Sequence, residues 1–588
     1  MNLPSPIIHE ISFSKSEIAN LEKTLADEKK KFLVTYPTVY VVNDQPSEKY
    51  HVYIGETTDI KRRTIEHLSS DPAVREDWLA FEQSETSKMF IVGHEHFNKS
   101  MTLDIENKLM HYMSSVPSVE KVTNRRTNQQ SDYYTANEME AIFTKIWRKL
   151  RQRNKELFPL EYVIRDSALF KASPFHKLTD EQMVARERII QRIEVALNRK
   201  KENQLILVDG EAGSGKTVLM SSLLYELNQL AQADSENAIL RGATHYLLVN
   251  HDQQLTVYQQ LAKKLGIRNG RKFDVVNKPT HFITNHTENK KADIVIIDEA
   301  HLLWTQGKQS YRGKNQLEDI LKRARVVVAV FDKHQILSRE QYVDEEQLDT
   351  LIHKANLDGG YIKLKNQLRI NASEETVNWI RNLIDKQEVG PIPHDDNYDL
   401  QIMKSPEDLQ AKIIEKASNE ENGISRMLAT FDWEYVDKRR PKPADGSSEP
   451  KTWDVTIGDW HAPWNLQIEP TKDQKKANRG KAWAEQAQTI GEVGSTFTIQ
   501  GFDLNYAGVI IGPSVVYRDG KIQFVREASK NKKATQQRTL QDGSKKVLSD
   551  ELLRNELNVL LTRGVNGLYV YAVDEELRNM LMKMAAKS

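Results

Sequence analysis

A chain of 588 residues exceeds what one hydrophobic core organises and points to about three or four domains at ~150 residues each. Lys plus Arg and Asp plus Glu both number 83, so no global polycation advertises nucleic acid and any basic surface must be local. Cysteine is absent, which excludes disulfides, thiolate metal sites and cysteine nucleophiles, and fits a reducing compartment.

The opening MNLPSPIIHEISFSKSE lacks a basic segment followed by an apolar core, so no secretory signal is read there. No apolar run approaches the ~20 residues needed to span a bilayer, and the expectation is a soluble, cytoplasmic protein with no membrane partner. Residues 14–31 are rich in Lys and Glu, and residues 1–30 are expected to form an N-terminal helical segment. Two β-rich runs follow, Thr38 to Val42 and His51 to Gly55, with turn chemistry between them that predicts a hairpin. Next comes a turn and a helix capped by Asp59, in which Arg63 and His67 lie four apart and share a face.

These residues resemble the core of the GIY-YIG nuclease family. Thr38-Val39-Tyr40 stands at the first triplet with its tyrosine kept, and Tyr53-Ile54-Gly55 matches the second in full. The resemblance implies Tyr40, Tyr53, Arg63 and His67 as active-site members and a helix-borne glutamate that holds one divalent metal. Glu106 is the candidate, since Leu103, Leu109 and Met110 mark an amphipathic helix beneath it. A late asparagine completes the pattern, Asn124 or its competitor Asn128. Phosphodiester hydrolysis needs this inventory: water activated through a tyrosine or histidine, and a carboxylate-bound magnesium with an arginine to offset charge on the phosphate. Residues 31–135 are the expected nuclease domain. Residues 136–175 read as a basic helical connector, with Ile142, Phe143, Ile146, Trp147 and Leu150 on one side. Its lysines and arginines suit either packing between domains or contact with a phosphate backbone.

A helix opens at Thr179 or Asp180. Leu205 to Asp209 then form a short buried strand, and Gly210-Glu211-Ala212-Gly213-Ser214-Gly215-Lys216-Thr217 fits G-x-x-x-x-G-K-[ST] at every fixed position. Gly210, Gly213 and Gly215 let the backbone bend around phosphates at a helix N-terminus. Lys216 reaches the β- and γ-phosphates, and the Thr217 hydroxyl ligates magnesium. Downstream, the apolar strand Asp293 to Ile297 ends in Asp298-Glu299-Ala300-His301. Asp298 is the expected magnesium partner and Glu299 the residue that orients or activates water, so ATP and Mg2+ are the expected cofactors.

Later segments resemble superfamily 1 helicase motifs in order. Asp332 and Gln335 follow the strand Val326 to Phe331 and resemble motif III, which implies that Gln335 senses the γ-phosphate. Leu364 to Arg369 resembles the start of a second motor domain, with Arg369 facing the phosphates. Thr496 to Asp503, including Gly501, resembles motif V, and Asn558 to Gly564 resembles motif VI with Arg563 as its arginine finger. Gln182, ahead of the phosphate loop, takes the place of an adenine reader. Together these resemble the bacterial helicase family called DUF2075, related to the helicase part of Schlafen proteins, over roughly residues 176–588. The expected fold is α/β: a small α+β nuclease domain, then two RecA-like parallel-sheet domains at 176–358 and 359–588. An insertion is expected around 437–480, and a basic run from Ala528 to Lys546 reads as a solvated loop or a backbone track.

This organisation implies an ATP-dependent helicase or translocase with a fused metal-dependent endonuclease, acting on single- or double-stranded DNA in anti-phage defence or DNA repair. Two other readings stay open: an ATPase–nuclease that remodels RNA or RNP, and a nucleotide-regulated switch whose nuclease fold only docks nucleic acid. A homo-oligomer or a regulatory protein partner fits either scheme.

Overall fold

The computed structural model describes residues 3–73, 75–124, 133–210, 213–269, 274–308, 311–364, 370–419, 423–437, 439–441, 451–478, 481–539 and 545–586. The chain divides into two compact units: residues 1–179 with 218–242 and 257–276, and residues 180–217 with 243–256 and 277–588. Among the described residues no helix is long and apolar enough to cross a membrane.

The first unit is built on a five-stranded sheet of β1 (Ile7–Ser12), β2 (Thr38–Asp44), β3 (Tyr50–Thr57), β4 (Lys88–Gly93) and β5 (Val119–Val122), in the order β1-β4-β2-β3-β5. All neighbours are antiparallel except β3 and β5. β2 is buried along its whole length, because its Val-rich run sits mid-sheet with both faces covered. The hairpin places Tyr40 opposite Gly55. The expected N-terminal helical segment is corrected. Only Lys15–Thr24 and Asp27–Lys30 are α-helical there, while Ile7–Ser12 is a strand. The β-branched Ile7, Ile8 and Ile11 favour it, and the outer edge of β4 needs backbone partners.

The connector is corrected as well. The helix Met139–Arg153 buries Ile142, Phe143, Ile146, Trp147 and Leu150. Phe143 and Trp147 pack on Tyr112 of the helix Lys99–Ser115, with ring centroids 4.8 and 4.9 Å apart. Lys145 and Lys149 donate to the carbonyls of Leu3 and Pro6. Residues 136–175 therefore belong to the first unit, and these two lysines are engaged with main chain.

The second unit holds two parallel sheets. One contains β6 (Gln204–Gly210), β7 (His245–Val249), β8 (Val276–Asn277), β9 (Ala292–Asp298), β10 (Ala324–Phe331) and β11 (Tyr361–Leu364), in the order β11-β6-β10-β9-β7-β8. The expected boundary between residues 358 and 359 is thus misplaced by one strand. Ile362 and Leu364 are buried as β11 lies parallel beside β6, closing the first sheet rather than opening the second.

The other sheet begins with β12 (Asp399–Ile402) and β13 (Ser425–Ala429), followed by the hairpin β14 (Asp454–Ile457) and β15 (Trp460–Pro463). It continues with β16 (Val493–Gly494) and β17 (Leu504–Ile511). Two small hairpins follow, β18 (Val515–Arg518) with β19 (Lys521–Phe524) and β20 (Arg538–Thr539) with β21 (Lys545–Lys546), before the last strand, β22 (Gly564–Ala572). The sheet order is β12-β22-β17-β13-β16.

The Trp-rich stretch expected as a loop is a packed hairpin from residue 454 to 463. Trp460 and Trp464 join the core of the second sheet, and the Trp460 indole N–H donates to Gln410 at 3.0 Å. The basic run is not simply solvated either. Arg538 is buried and donates to the carbonyls of Arg339 at 2.8 Å and Tyr342 at 2.5 Å. The two sheets are joined by the helix Ser549–Leu561. Leu552 and Leu553 enter the core of the first sheet, while Asn555 and Asn558 donate to the carbonyls of Lys333 and His334.

Candidate active sites

In the first unit the side chains of β2, β3 and the helix Ile60–Ser69 converge. Asp59 caps that helix by accepting from the Arg62 N–H at 3.0 Å, which fixes the phase that turns His67 inward. The Tyr40 hydroxyl lies 2.7 Å from His67 Nε2, and His67 Nδ1 lies 2.5 Å from Asp71 Oδ2. With Asp71 accepting from Nδ1–H, Nε2 is left as an acceptor and the Tyr40 hydroxyl donates to it. His67 is buried and stacks on Trp78 at 3.6 Å between centroids. Burial, with Arg63 and Arg75 nearby, pulls its pKa down to about 2, so the ring is neutral at physiological pH. Burial raises the Tyr40 and Tyr53 phenols, and the Arg63 guanidinium hydrogen-bonds both and opposes that rise. A Cβ on Gly55 would stand 2.4 Å from the Tyr40 hydroxyl, which is why only glycine fits there.

Glu106 sits on the helix Lys99–Ser115, mostly buried, and its Oε1 accepts from Asn124 Nδ2 at 2.8 Å. The same amide donates to the Ile54 carbonyl at 2.6 Å, so it ties Glu106 to the Tyr53-Ile54-Gly55 strand. Asn128 lies outside the described residues. Among the described residues no group of three or more His, Cys, Asp or Glu could hold a metal. The Glu106 carboxylate is a hard oxygen donor of the kind a largely hydrated magnesium ion takes. Asp71 and Trp78 were missed from sequence. Asp71 follows His67 by four positions, but it lies past the helix end, where helical spacing is no guide.

In the second unit β6 ends at Gly210, where a Cβ would lie 2.6 Å from Ser214 Oγ. Gly213 and Gly215 have φ of 90° and 72°, the left-handed region that favours glycine. Glu211 and Ala212 lie outside the described residues. Gln182 is buried against this loop, its amide donating to the Ser214 carbonyl at 3.2 Å and facing that of Gly215 at 3.4 Å. Lys216 and Thr217 open the helix Lys216–Leu230.

Lys216 Nζ donates to the Gly210 carbonyl at 2.5 Å and lies 3.3 Å from Asp332 Oδ2. Burial is the largest single influence and works against the charge on Asp332, yet Lys216, His301, the Gln335 hydrogen bond and His334 together outweigh it and the pKa falls to about 2. Gln335 donates to Asp332 at 2.7 Å and accepts from Arg563 Nη2 at 3.2 Å. Arg563, fully buried, also donates to the Val559 carbonyl and lies 3.7 Å from Asp503. A continuous polar chain thus runs Lys216–Asp332–Gln335–Arg563, from the phosphate loop to the second sheet. Gln500 adds a contact to the Gln335 carbonyl at 3.4 Å, and Gly501 follows it with φ of 81°. Arg369 lies outside the described residues.

Asp298, at the end of β9, is fully buried and accepts from Gln254 at 2.8 Å. Glu299 takes a left-handed φ of 52°, and His301 Nε2 lies 3.1 Å from its Oε2. Burial lowers the His301 pKa. The strained backbone at Glu299 marks it as a residue whose position is held by its surroundings. For magnesium, the buried Asp298 carboxylate and the Thr217 hydroxyl are hard oxygen donors of the appropriate kind. Gln254 and His301 carried no assigned role in the sequence reading.

Residues 203–574 match the Schlafen group 3 DNA/RNA helicase domain, a stretch that takes in the phosphate loop, Asp298, Gln335 and Arg563. The chain belongs to the Schlafen group 3 helicase family. An uncharacterized protein of Saccharomyces cerevisiae, YPL245W, is 33% identical over 441 residues, covering 70% of this chain and 91% of that protein. Among solved structures, the Pif1 helicase of Candida albicans aligns at 11% identity with a TM-score of 0.27, over 69% of this chain and 96% of that one. The Schlafen group 3 helicase match begins at residue 203 and so excludes most of the first unit.

Proposed function

We propose that the chain is an ATP-driven motor of superfamily 1 type fused to a GIY-YIG endonuclease, acting on DNA. The observation that carries the motor reading is the polar chain Lys216–Asp332–Gln335–Arg563, which links the phosphate loop of one sheet to an arginine of the other. Phosphates of ATP displace Asp332 as the partner of Lys216. Gln182, buried against the loop, is the proposed adenine reader, and Gly210, Gly213, Gly215 and Gly501 are proposed to leave room for the nucleotide. Thr217 and Asp298 would hold magnesium, which supplies charge neutralisation between the β- and γ-phosphates. Glu299 accepts a proton from water as its oxygen bonds the γ-phosphorus; the bond to the β–γ bridging oxygen breaks, releasing ADP and phosphate. Gln335 and Arg563 face the γ-phosphate, so hydrolysis changes how the two lobes hold each other.

In the first unit, Tyr40, oriented by its hydrogen bond to the neutral His67 Nε2, relays a proton from the attacking water to solvent, and Asp71 fixes the His67 tautomer that accepts that bond. The water oxygen bonds phosphorus and the ester P–O bond breaks. Arg63 and Tyr53 line the same cluster and suit the phosphate. Glu106, oriented by Asn124, would hold the magnesium, which stabilises charge on the leaving oxygen.

The domain plan that follows is nuclease unit, then two motor lobes. The match to a DNA/RNA helicase domain makes RNA the competing polymer. Purified protein is incubated with labelled DNA and RNA in magnesium, with Glu106→Ala as control. Cleavage of DNA that Glu106→Ala abolishes supports the proposal. Cleavage of RNA alone favours RNA remodelling, and binding without cleavage favours a nucleotide-regulated switch. For the cellular role, anti-phage defence and repair remain the two proposals. The relative in Saccharomyces cerevisiae frees the proposal from dependence on a bacterial host.

A further inference from the structure

Gln254 opens the helix Asp252–Leu265 and is 6% exposed. Its two amide ends face different parts of the second unit. The Nε2 end donates to Asp298 Oδ2 at 2.8 Å, in the interior at the end of β9. The Oε1 end is buried and has no hydrogen-bond partner among the described residues. It lies 3.4 Å from where a Cβ on Gly501 would stand. Asp298 Oδ1 is meanwhile taken by the Glu299 N–H at 3.0 Å, so Gln254 holds the other carboxylate oxygen.

A fully buried carboxylate is costly unless hydrogen-bonded, and the amide donor meets that need while fixing the rotamer. An orphaned buried acceptor is costly too, and a donor of the site or an ordered water is needed to complete it. Because one planar amide carries both ends, the donor cannot move without moving the acceptor. Any shift of the Gly501 segment therefore bears on the hold upon Asp298.

We propose that Gln254 is a positioning residue of the nucleotide site, which orients Asp298 toward magnesium–nucleotide and makes that orientation depend on the Gly501 segment of the second lobe. The inference rests on the ATPase reading of this same site. It gives the second lobe a route to the hydrolytic residues that is separate from the Arg563–Gln335 chain. The side chain supplies a neutral donor, so an isosteric residue without one fills the space and lacks the function.

The test compares full-length wild type with Gln254→Met and Gln254→Glu. Three quantities are read: ATP hydrolysis, the magnesium dependence of binding of a fluorescent ATP analogue by anisotropy, and the melting temperature. Both variants are expected to lose ~10- to 100-fold in kcat or in apparent magnesium affinity, the range for residues that orient a metal's ligand. Their binding of the analogue without magnesium is expected to stay at the wild-type value, and the melting temperature, lowered by the lost hydrogen bond, shows that each variant is folded at the assay temperature. In an Asp298→Asn background Gln254→Met is expected to add no further loss of magnesium dependence, because the group it orients is gone. If Gln254→Met folds poorly, Gln254→Glu carries the same comparison. Wild-type kcat and magnesium dependence in a folded Gln254→Met overturn the inference alone. Wild-type protein without Lys216-dependent hydrolysis overturns the ATPase reading and this inference with it.

Discussion

A methyl group added to Gly55 would stand 2.4 Å from the Tyr40 hydroxyl and 2.9 Å from the Tyr53 ring, so Gly55→Ala must displace the proposed proton relay. It is expected to cost ~1–3 kcal/mol of stability and most of the cleavage activity, read by thermal melting and a plasmid assay. His67 makes a second prediction. Its folded pKa, about 2, lies below the ordinary 6.5, so the unfolded chain binds a proton that the folded one refuses. Stability from a neutral His67 is complete above pH ~6.5 and lost as pH falls toward 2, at up to about 1.4 kcal/mol per pH unit. The stability advantage of wild type over His67→Gln should therefore shrink between pH 7.5 and 5, and an unchanged gap in melting temperature would count against a neutral buried ring. At this scale Gly55, Arg63, His67, Glu106 and Lys216 were legible, because chemistry at fixed spacing leaves a pattern. Asp71 and Gln254 were not, since each matters only for where the fold brings it.

Elements were legible where one period ran long enough. The hairpin of β2 and β3, the helix above Glu106 and the strand ending at Asp298 follow from alternation, amphipathicity and a buried run. β1 escaped because six residues bounded by a proline-containing start read weakly, and its place is set by the far strand β4. Removing residues 1–12 would bare the outer edge of β4, whose Phe90 to Val92 are buried. Such a truncation is expected to lower the first melting transition and promote association, measured by calorimetry and light scattering. β11 escaped for a related reason. Leu364 to Arg369 resembles a domain start, which drew the boundary ahead of β11, but buried Ile362 and Leu364 against β6 are a tertiary fact.

At the scale of the whole molecule the helix Lys216–Leu230 is the element that the two proposed chemistries share. Its first residue is the lysine of the phosphate loop, and nine positions on, the buried Tyr225 hydroxyl donates to the Asn124 carbonyl at 3.0 Å. Asn124 in turn orients Glu106. The account therefore predicts that nucleotide at Lys216 changes cleavage at Glu106. The most direct measurement is plasmid cleavage in magnesium, with and without ATP, by wild type, Lys216→Ala and Glu106→Ala. Cutting that Glu106→Ala abolishes, and that ATP alters in wild type but not in Lys216→Ala, is the predicted result. Cutting that persists in Glu106→Ala, or that ignores both ATP and Lys216, would contradict a coupled nuclease and motor.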